Sequence, residues 1–488
     1  MDFAASLYLT GAEIGLSLTA FVVLLATAWG SRGVARLLTI VAVAALVGAT
    51  IFTATLLDAS LGGREGVAFG GLIIVDTFAA LAKILIYVAT IACLIMTPSY
   101  FARHGEYRGE YPALILLNAV GMGMMVGATN FMTLYIGLEM SSLASYVLAS
   151  FSRSDTRSAE AGLKYFVLGS LSSGILLYGI SLVYGFAGST SYAGIREAFD
   201  GTGLSTGALF GIVFILAGAA FKIAAVPFHM WTPDVYEGSP TPVTAFFASA
   251  PKVAAMALLV RIAFEPFGDQ ADSWRQIVIF AALASIVVGA LGAIGQQNLK
   301  RLLAYSSINN VGFVLIGLAA ATSQGASSVL VYLFIYIFMT LGSFAALLIL
   351  RDPEGERLTS FDDIRGLAVR SPALAWSLLI LMFSLAGIPP LLGFWAKFVV
   401  FQAAVQADMV ALAAIGIAAS VIGAFYYIKF IKVMFFDTPE GRTDYRAPAG
   451  HWLVLFFSVL VVSPLGYYFR PWLQYVSDAA GLSLFGIA

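Results

Sequence analysis

The sequence predicts an all-α polytopic membrane protein on the basis of three observations. Hydrophobic residues make up 60% of the 488 residues and charged residues only 11%, which would give a soluble domain too little polar surface. Runs of about twenty apolar residues recur along the whole chain, each long enough to cross a bilayer as a helix. Two runs exceed about thirty residues and contain prolines, which predicts helices that break within the membrane.

About fourteen such runs follow one another along the chain and are predicted to be transmembrane helices. They lie near 10–29, 37–57, 72–97, 112–128, 131–150, 161–185, 206–236, 243–262, 276–294, 302–320, 326–350, 372–405, 409–433 and 451–469. No basic residue precedes the first run, so it is expected to remain as a helix and not to be removed as a signal peptide.

Basic residues concentrate in alternate loops, the pattern that sets orientation in a membrane. One side carries Arg32, Arg36, Arg103, Arg108, Arg153, Arg157, Lys300, Arg301, Arg351, Arg357, Arg365, Arg370, Lys429, Lys432, Arg442 and Arg446. The other side carries only Arg64, Arg196, Arg261, Arg275 and Arg470. Both termini are therefore predicted to face away from the cytoplasm. The remaining basic residues lie inside spans, at Lys83, Lys164, Lys222, Lys252 and Lys397.

Two spans, at about 206–236 and 372–405, are too long for a straight crossing. As unbroken helices they would measure about 45 to 50 Å at 1.5 Å per residue, whereas the hydrocarbon core is about 30 Å thick. Pro227 and the Pro389-Pro390 pair supply a break, because proline lacks an N–H and clashes with the preceding turn. Interrupted helices in corresponding halves of a chain indicate inverted repeats with an ion site near mid-membrane.

This pairing predicts two inverted five-helix repeats within a four-part chain. The parts are a three-helix segment at 1–111, a first repeat at 112–262, a second repeat at 276–433, and a C-terminal helix with its tail at 434–488.

Ionisable residues inside the spans indicate a proton or ion path. Lys222 lies five residues before Pro227, and Lys397 lies just after Pro389-Pro390. A charged lysine at that depth costs roughly 2.5 kcal/mol or more, so it must be compensated or be able to lose its proton. Glu139 is in mid-span without a local cation, which favours a functional carboxylate or one that pairs with another helix.

Structural explanations stay open for several of these residues. Lys164 is near a span end and could extend to the headgroups, and Lys83 is predicted to form a salt bridge with Asp76 or Glu13. His229 could either take part in proton transfer or cap carbonyls at the helix break. Two further acidic residues are predicted to be surface or capping residues, Asp234 and Glu237.

Composition also disfavours other classes of protein. A net charge of −1 without a basic tail gives no support for nucleic-acid binding. The single cysteine, Cys93, and three scattered histidines match no disulfide, iron-sulfur, haem or zinc pattern, so any redox chemistry is expected in a partner. The glycines at 121–127 are spaced GxGxxxG inside an apolar run, which favours close helix packing over a dinucleotide site.

Motifs around the breaks make a resemblance specific. They are Gly137-Leu-Glu-Met-Ser-Ser-Leu143, Ala161-Gly-Leu-Lys-Tyr-Phe166, Lys222-Ile-Ala-Ala-Val-Pro-Phe-His-Met-Trp-Thr-Pro-Asp-Val-Tyr-Glu-Gly-Ser-Pro-Thr-Pro242, Gly387-Ile-Pro-Pro390 and Gly393-Phe-Trp-Ala-Lys397. With them the chain resembles, over nearly its whole length, the antiporter-like membrane subunits of bacterial respiratory complex I. It ends after a fourteenth span without the long lateral helix of the largest such subunit, which predicts one of the shorter members.

The resemblance implies a set of proton-translocating residues at matching positions. Glu139 and Lys164 match the family's coupled charge pair, Lys222 the lysine of the first broken helix and Lys397 the terminal exchange residue of the second. Two other matches are Lys252, on the next span, and His229. The sequence departs from the family at Asn310, where many relatives carry a histidine, and a neutral amide cannot take up a proton and pass it on.

The resemblance also implies the surroundings of the chain. It would lie in a bacterial inner membrane with both termini on the periplasmic side, beside an antiporter-like subunit on one face and small subunits of the K and J type on the other. It would hold no cofactor of its own, since FMN and iron-sulfur clusters are expected in partner subunits and quinone is the substrate of the complex.

Other functions stay open on the sequence alone. A multisubunit cation/proton antiporter or a membrane-bound hydrogenase would share the broken helices and lysines. A solute transporter should show a roomier polar site than these single lysines provide, and a passive scaffold would not explain ionisable groups at both breaks.

Overall fold

The computed structural model describes residues 3–29, 34–102, 107–200, 204–352, 358–439 and 447–486. The helices are α1 Phe3–Leu9, α2 Gly11–Trp29, α3 Val34–Leu61, α4 Thr77–Ala102, α5 Glu110–Gly127, α6 Phe131–Ala149, α7 Thr156–Ala187, α8 Tyr192–Phe199, α9 Thr206–Ile223, α10 Trp231–Gly238, α11 Thr241–Phe247, α12 Ala250–Phe264, α13 Ala271–Ile294, α14 Leu299–Ala319, α15 Ser323–Ile349, α16 Leu367–Arg370, α17 Pro372–Ala386, α18 Leu392–Gln406, α19 Val410–Phe436, α20 Ala449–Val462 and α21 Arg470–Ser483.

A short hairpin accompanies these helices. Its strands, β1 (Gly66–Ala68) and β2 (Ile73–Val75), pair antiparallel with Gly66 opposite Val75.

Five of the basic residues used to predict orientation lie outside the described residues, namely Arg32, Arg103, Arg357, Arg442 and Arg446.

The predicted all-α membrane architecture is confirmed. In the described part of the chain, twelve helical segments are long and apolar enough to cross a membrane, or thirteen if α20 and α21, which meet at a bend of 65°, form one span. The predicted span at 372–405 corresponds to two shorter apolar helices, α17 and α18.

Side-chain caps begin several of the helices. The first backbone N–H groups of a helix lack partners within it, and asparagine, aspartate, serine and threonine side chains accept from them. Asn130 caps α6 through the N–H of Met132, and Asn298 caps α14 through those of Lys300 and Arg301. The transmembrane runs are thus delimited by local chemistry as well as by hydrophobicity.

Both predicted helix breaks are present and share a backbone pattern. Helix α9 ends where Ala224 adopts a left-handed conformation (φ 62°), and α17 ends where Gly387 does the same (φ 83°). In each case a proline follows three residues later, at Pro227 and Pro390, and prevents the helix from continuing. Each break therefore leaves helix-terminal carbonyls without intrahelical partners.

The interior lies around α12, α14 and α15, which are buried along nearly their whole length. Helix α10, after the first break, packs on α7 and α14, while α18, after the second, packs on α14 and α15. Helices α2 and α3 instead expose much of their apolar surface. Helix α14 therefore lies between the two breaks.

Candidate functional site

The first break places Lys222 beside α6. Lys222 is the penultimate residue of α9, and its Nζ donates to Ser142 Oγ at 2.7 Å and lies 3.5 Å from Tyr146 Oη. Glu139 lies three residues before Ser142, on the same side of α6, and is close enough for its charge to act on Lys222. Its buried Oε1 has no hydrogen-bond partner among the described residues. Lys222 is thus held on α6 through Ser142, near Glu139 but without a direct ion pair to it among the described residues.

Lys252 occupies the end of the same broken helix. It lies on α12 with 3% of its surface exposed, and its Nζ donates to the carbonyl of Ile223 at 2.7 Å. Ile223 is the last residue of α9. A cation at a helix C-terminus interacts favourably with the helix dipole and satisfies an unpaired carbonyl. Lys252 therefore caps the first half of the broken helix from a neighbouring helix.

Lys397 repeats this arrangement at the second break. Its Nζ donates to the carbonyl of Ala386, the last residue of α17, at 2.9 Å. The same Nζ lies 4.5 Å from the centroid of the Phe313 ring, within reach of a cation–π interaction. The two buried lysines thus hold the same position relative to a helix break.

Polar groups of α14, α15 and α19 lie between the two breaks. Asn310 donates through Nδ2 to the Ser306 carbonyl at 2.8 Å and accepts at Oδ1 from Tyr332 Oη at 2.7 Å. Ser306 Oγ and Tyr427 Oη are 2.5 Å apart. The amide of Asn310 is therefore a hydrogen-bonded member of a hydroxyl-rich network.

A narrow cavity connects this network with Lys252. Its volume is about 10 Å³, close to the space that one water molecule needs, and Lys252, Asn310 and Tyr336 are among the residues that line it. Tyr336 in turn donates to Ser307 Oγ at 2.9 Å. Tyr332 and Tyr336 were not predicted as site residues from the sequence, although they have i, i+4 spacing and a Ser-Ser-Ile-Asn-Asn run lies in the preceding span.

Lys164 lies in a different environment. Its side chain is 41% exposed and its Nζ forms ion pairs with Glu160 at 2.7 Å and Asp234 at 2.8 Å. Glu139 is not among its ion-pair partners in the described residues. Arg301 bridges Asp234, at 2.6 Å, and Glu237, at 3.1 Å. These charges line an open cavity of about 240 Å³, so Asp234 and Glu237 belong to a surface ion-pair network.

His229 lies in the turn between α9 and α10. Its buried Nδ1 has no hydrogen-bond partner within the described part of the chain. The indole of Trp231 donates instead to the Phe221 carbonyl at 3.0 Å and stacks on Tyr165 with ring centroids 4.5 Å apart. Trp231 therefore performs part of the capping that the sequence suggested for His229. The position of this tryptophan just after the break could have predicted that role.

A buried ionic cluster lies near the N-terminal helices. The predicted salt bridge of Lys83 is confirmed with Glu13, at 2.5 Å. Asp76, the other predicted partner, pairs with Arg261 at 2.9 Å. Arg261 was counted as a loop charge from the sequence, but it lies in α12 with only 1% of its side chain exposed, and it also pairs there with Glu265.

The described residues contain no group of three or more histidine, cysteine or acidic residues that could hold a metal ion.

Comparison with known proteins gives consistent matches. The family model described as the transmembrane part of NADH:quinone oxidoreductase and Mrp antiporter subunits matches residues 128–423. NADH-quinone oxidoreductase subunit N of Erythrobacter litoralis is 63% identical over 485 residues, which cover 99% of each chain.

Solved structures agree with these matches. A chain of respiratory complex I from Thermus thermophilus, determined with bound aureothin, has a TM-score of 0.79 at 30% identity and covers 95% of this chain and 99% of its own. A chain of the Mrp complex from Dietzia sp. DQ12-45-1b has a TM-score of 0.84 at 23% identity, covers 98% of each chain, and shows a shared fold only. The resemblance inferred from the motifs is thereby confirmed, and the chain belongs to the family of membrane subunits that includes NADH-quinone oxidoreductase subunit N.

Proposed function

We propose that this chain is a proton-translocating membrane-arm subunit of an NADH:quinone oxidoreductase, and that its protons move through the lysines at the two helix breaks. The observation that carries the proposal is that Lys252 and Lys397 each donate to the last carbonyl of a broken helix, and that neither forms an ion pair with a carboxylate of the described residues. The redox chemistry belongs to partner subunits, so this chain contributes to a translocase without a redox centre of its own.

Proton uptake is proposed at the open cavity beside Lys164. The segments around it, the start of α7 and the α10–α11 junction, lie on the side predicted to be cytoplasmic. Lys164 and Asp234 sit at its rim as solvent-accessible charges that can exchange protons with water. Lys164 acts there as a rim residue, and His229 at the nearby break is proposed to link the rim to the interior.

The pair of Glu139 and Lys222 is proposed as the switch. Two opposite unit charges 4 Å apart attract by about 4 kcal/mol at an effective dielectric of 20. The attraction between Glu139 and Lys222 is weaker in the described structure, because their charged atoms are more than 4 Å apart. A change in the position or charge of Glu139 would therefore decide whether Lys222 retains its proton. An event in a neighbouring subunit needs only to alter this pairing to start a transfer.

Lys252 and Lys397 are proposed as the exchange groups that follow. Their ammonium groups are held by a carbonyl and a helix dipole, which contribute roughly 0.3–2 kcal/mol. An ion pair such as that of Arg261 with Asp76 fixes its charge far more firmly. The two lysines are thus held in place while staying able to lose a proton.

The step between these lysines is proposed to use hydroxyls and water. Asn310 cannot carry a proton, but it orients Tyr332, and the cavity beside Lys252 has room for about one water molecule. Tyr427 and Ser306 extend the hydroxyl chain toward α19. In this chain they would take the place of the histidine that many relatives carry.

The surroundings of the chain are part of the proposal. We place it in a bacterial inner membrane with both termini periplasmic, next to one antiporter-like subunit and to small subunits of the K and J type. The segments 112–262 and 276–433 are proposed as inverted repeats, supported by the common pattern of their breaks. FMN and iron-sulfur clusters would reside in other subunits, and quinone is the substrate of the complex.

The test is proton pumping by membranes that contain the intact complex. Lys222→Ala, Lys397→Ala and Glu139→Ala are compared with wild type and with Lys432→Ala, an exposed lysine paired with Asp437. We expect NADH-driven quinone reduction and pumping to fall in the first three, with assembly preserved on a native gel, and to persist in Lys432→Ala. Full activity in all assembled variants would show that the buried charges serve packing only.

A cation/proton antiporter subunit is the second candidate, since the Mrp chain shares the fold. The 63% identity to a subunit N favours the first. Sodium-driven proton exchange in the absence of NADH, lost in Lys397→Ala, would reverse this preference.

A further inference from the structure

A large groove lies apart from the lysine path. It has a volume of about 670 Å³ and is open to the surface between the start of α15, helix α18 and helix α21. Its polar lining includes Ser323, Gln402, Gln406, Arg470 and Gln474. A volume of this size is typical of sites for small organic ligands.

One end of the groove offers hydrogen-bond donors to an anion. The Arg470 guanidinium carbon lies 3.5 Å from the centroid of the Trp395 ring, and no carboxylate pairs with Arg470 among the described residues. The buried indole Nε1 of Trp395 and Oε1 of Gln474 also have no hydrogen-bond partner there. Asp478, the acidic residue of the lining, already accepts from Ser327 Oγ at 2.5 Å and Gln474 Nε2 at 2.9 Å. A cation and an N–H donor are thus available to an acceptor from outside the chain.

The remaining wall of the groove is apolar. Phe398, Val399 and Leu482 line it. Helix α21 turns by 65° from α20 and exposes Trp472 and Tyr475, at 51% and 62%. Aromatic residues of this kind mark the interface between the hydrocarbon core and water. A ligand that fits both walls must join an anionic group to a long apolar chain.

We propose that this groove binds a glycerophospholipid. Its phosphate accepts from Arg470 and from the indole of Trp395, while the amides of Gln402 and Gln474 bind the polar headgroup. An acyl chain lies along Phe398 and Val399. Guanidinium groups match phosphate oxygens in geometry as well as charge. Because Trp395 and Lys397 are two residues apart on α18, the bound lipid would also hold in place the helix that carries Lys397.

The first test measures the phospholipid retained by the intact detergent-purified complex. Arg470→Gln keeps a polar side chain but removes the cation. Arg275→Gln removes a partly exposed arginine of the same predicted membrane side, which pairs with Asp272. After exhaustive detergent exchange, mass spectrometry counts the phospholipids that remain. We expect retention at this site to fall about tenfold in Arg470→Gln, as for the loss of one charge-assisted hydrogen bond, and to be unchanged in Arg275→Gln. Equal retention in all three would overturn the proposal.

The second test identifies the occupant. Phosphatidylethanolamine with a photoactivatable acyl chain is added to the complex in nanodiscs, and the adduct is mapped by peptide sequencing. Labelling on α18 near Phe398 that is reduced in Gln474→Leu would support the lipid site. This result does not depend on Arg470→Gln, so it stands even if that variant fails to assemble. Displacement of the label by millimolar inorganic phosphate would show a simple anion site. A benzophenone side chain at position 402 that reacts only with another subunit would show a protein interface. Either result would overturn the lipid proposal.

Discussion

The two helix breaks have the same backbone design but different electrostatics. In the first, Lys252 reaches the terminal carbonyl of α9 from α12, and Lys222 lies one residue before that carbonyl. In the second, Lys397 of α18 donates to the terminal carbonyl of α17. Only the first break has a carboxylate nearby, Glu139, among the described residues. We therefore propose that a partner charge regulates the first break, whereas the second break only exchanges protons.

The residue that ends each helix also differs. Ala224 takes a left-handed conformation that costs an L-residue roughly 1–2 kcal/mol, whereas Gly387 takes it without a side-chain penalty. A Cβ on Gly387 would lie 2.9 Å from Cδ of Lys397. The glycine therefore creates the space that the exchange lysine occupies, a requirement that is absent at the first break.

The largest expected effect comes from replacing the exchange lysines by arginine. Lys252→Arg and Lys397→Arg keep the positive charge and the donor to the helix carbonyl, but arginine does not lose its proton. If discharge is essential, pumping should fall more than about tenfold in both variants, the equivalent of about 1.4 kcal/mol or more. NADH-driven proton uptake by membrane vesicles measures this. Normal pumping in the arginine variants would show that both lysines serve only to cap the broken helices.

Glu139→Gln should separate the two breaks. The change removes the charge that acts on Lys222 and leaves the second break untouched, so we expect a severalfold loss of pumping that Lys222→Ala does not deepen, since both remove one interaction. Lys397→Ala, measured in the same assay, should lower pumping further when combined with Glu139→Gln. Full additivity of Glu139→Gln with Lys222→Ala would show that the two residues act independently.

The terminating residues give a smaller, structural effect. Gly387→Ala should destabilise the subunit by about 1–3 kcal/mol through the left-handed backbone and the contact with Lys397. Ala224→Gly should be neutral or slightly stabilising, because it removes the cost of a left-handed alanine. The temperature at which the assembled complex is lost from a native gel compares them. An equal decrease for both changes would contradict the proposed difference.

Much of this organisation could be predicted from the sequence, because span length and proline breaks are local properties. The breaks, the buried lysines and the salt bridge of Lys83 with Glu13 followed from apolar runs and isolated charges. The hydrogen bond from Lys252 to Ile223 could not be predicted, since its acceptor is a backbone carbonyl that any residue provides. Burial of Arg261 was missed because its partner Asp76 is distant in the chain.

The smallest expected effect is that of Lys164, which the family resemblance placed in the coupled pair with Glu139. Lys164 is 41% exposed and pairs with Glu160 and Asp234, and exposed ion pairs contribute about 0–1 kcal/mol. Lys164→Gln should therefore lower pumping by less than about threefold, with Arg153→Gln on the same predicted side as the control. Because the rim charges are screened by salt, the loss should shrink further at high ionic strength. A loss as large as that of Lys222→Ala, insensitive to salt, would return Lys164 to the coupled pair and require it to leave Asp234 during turnover.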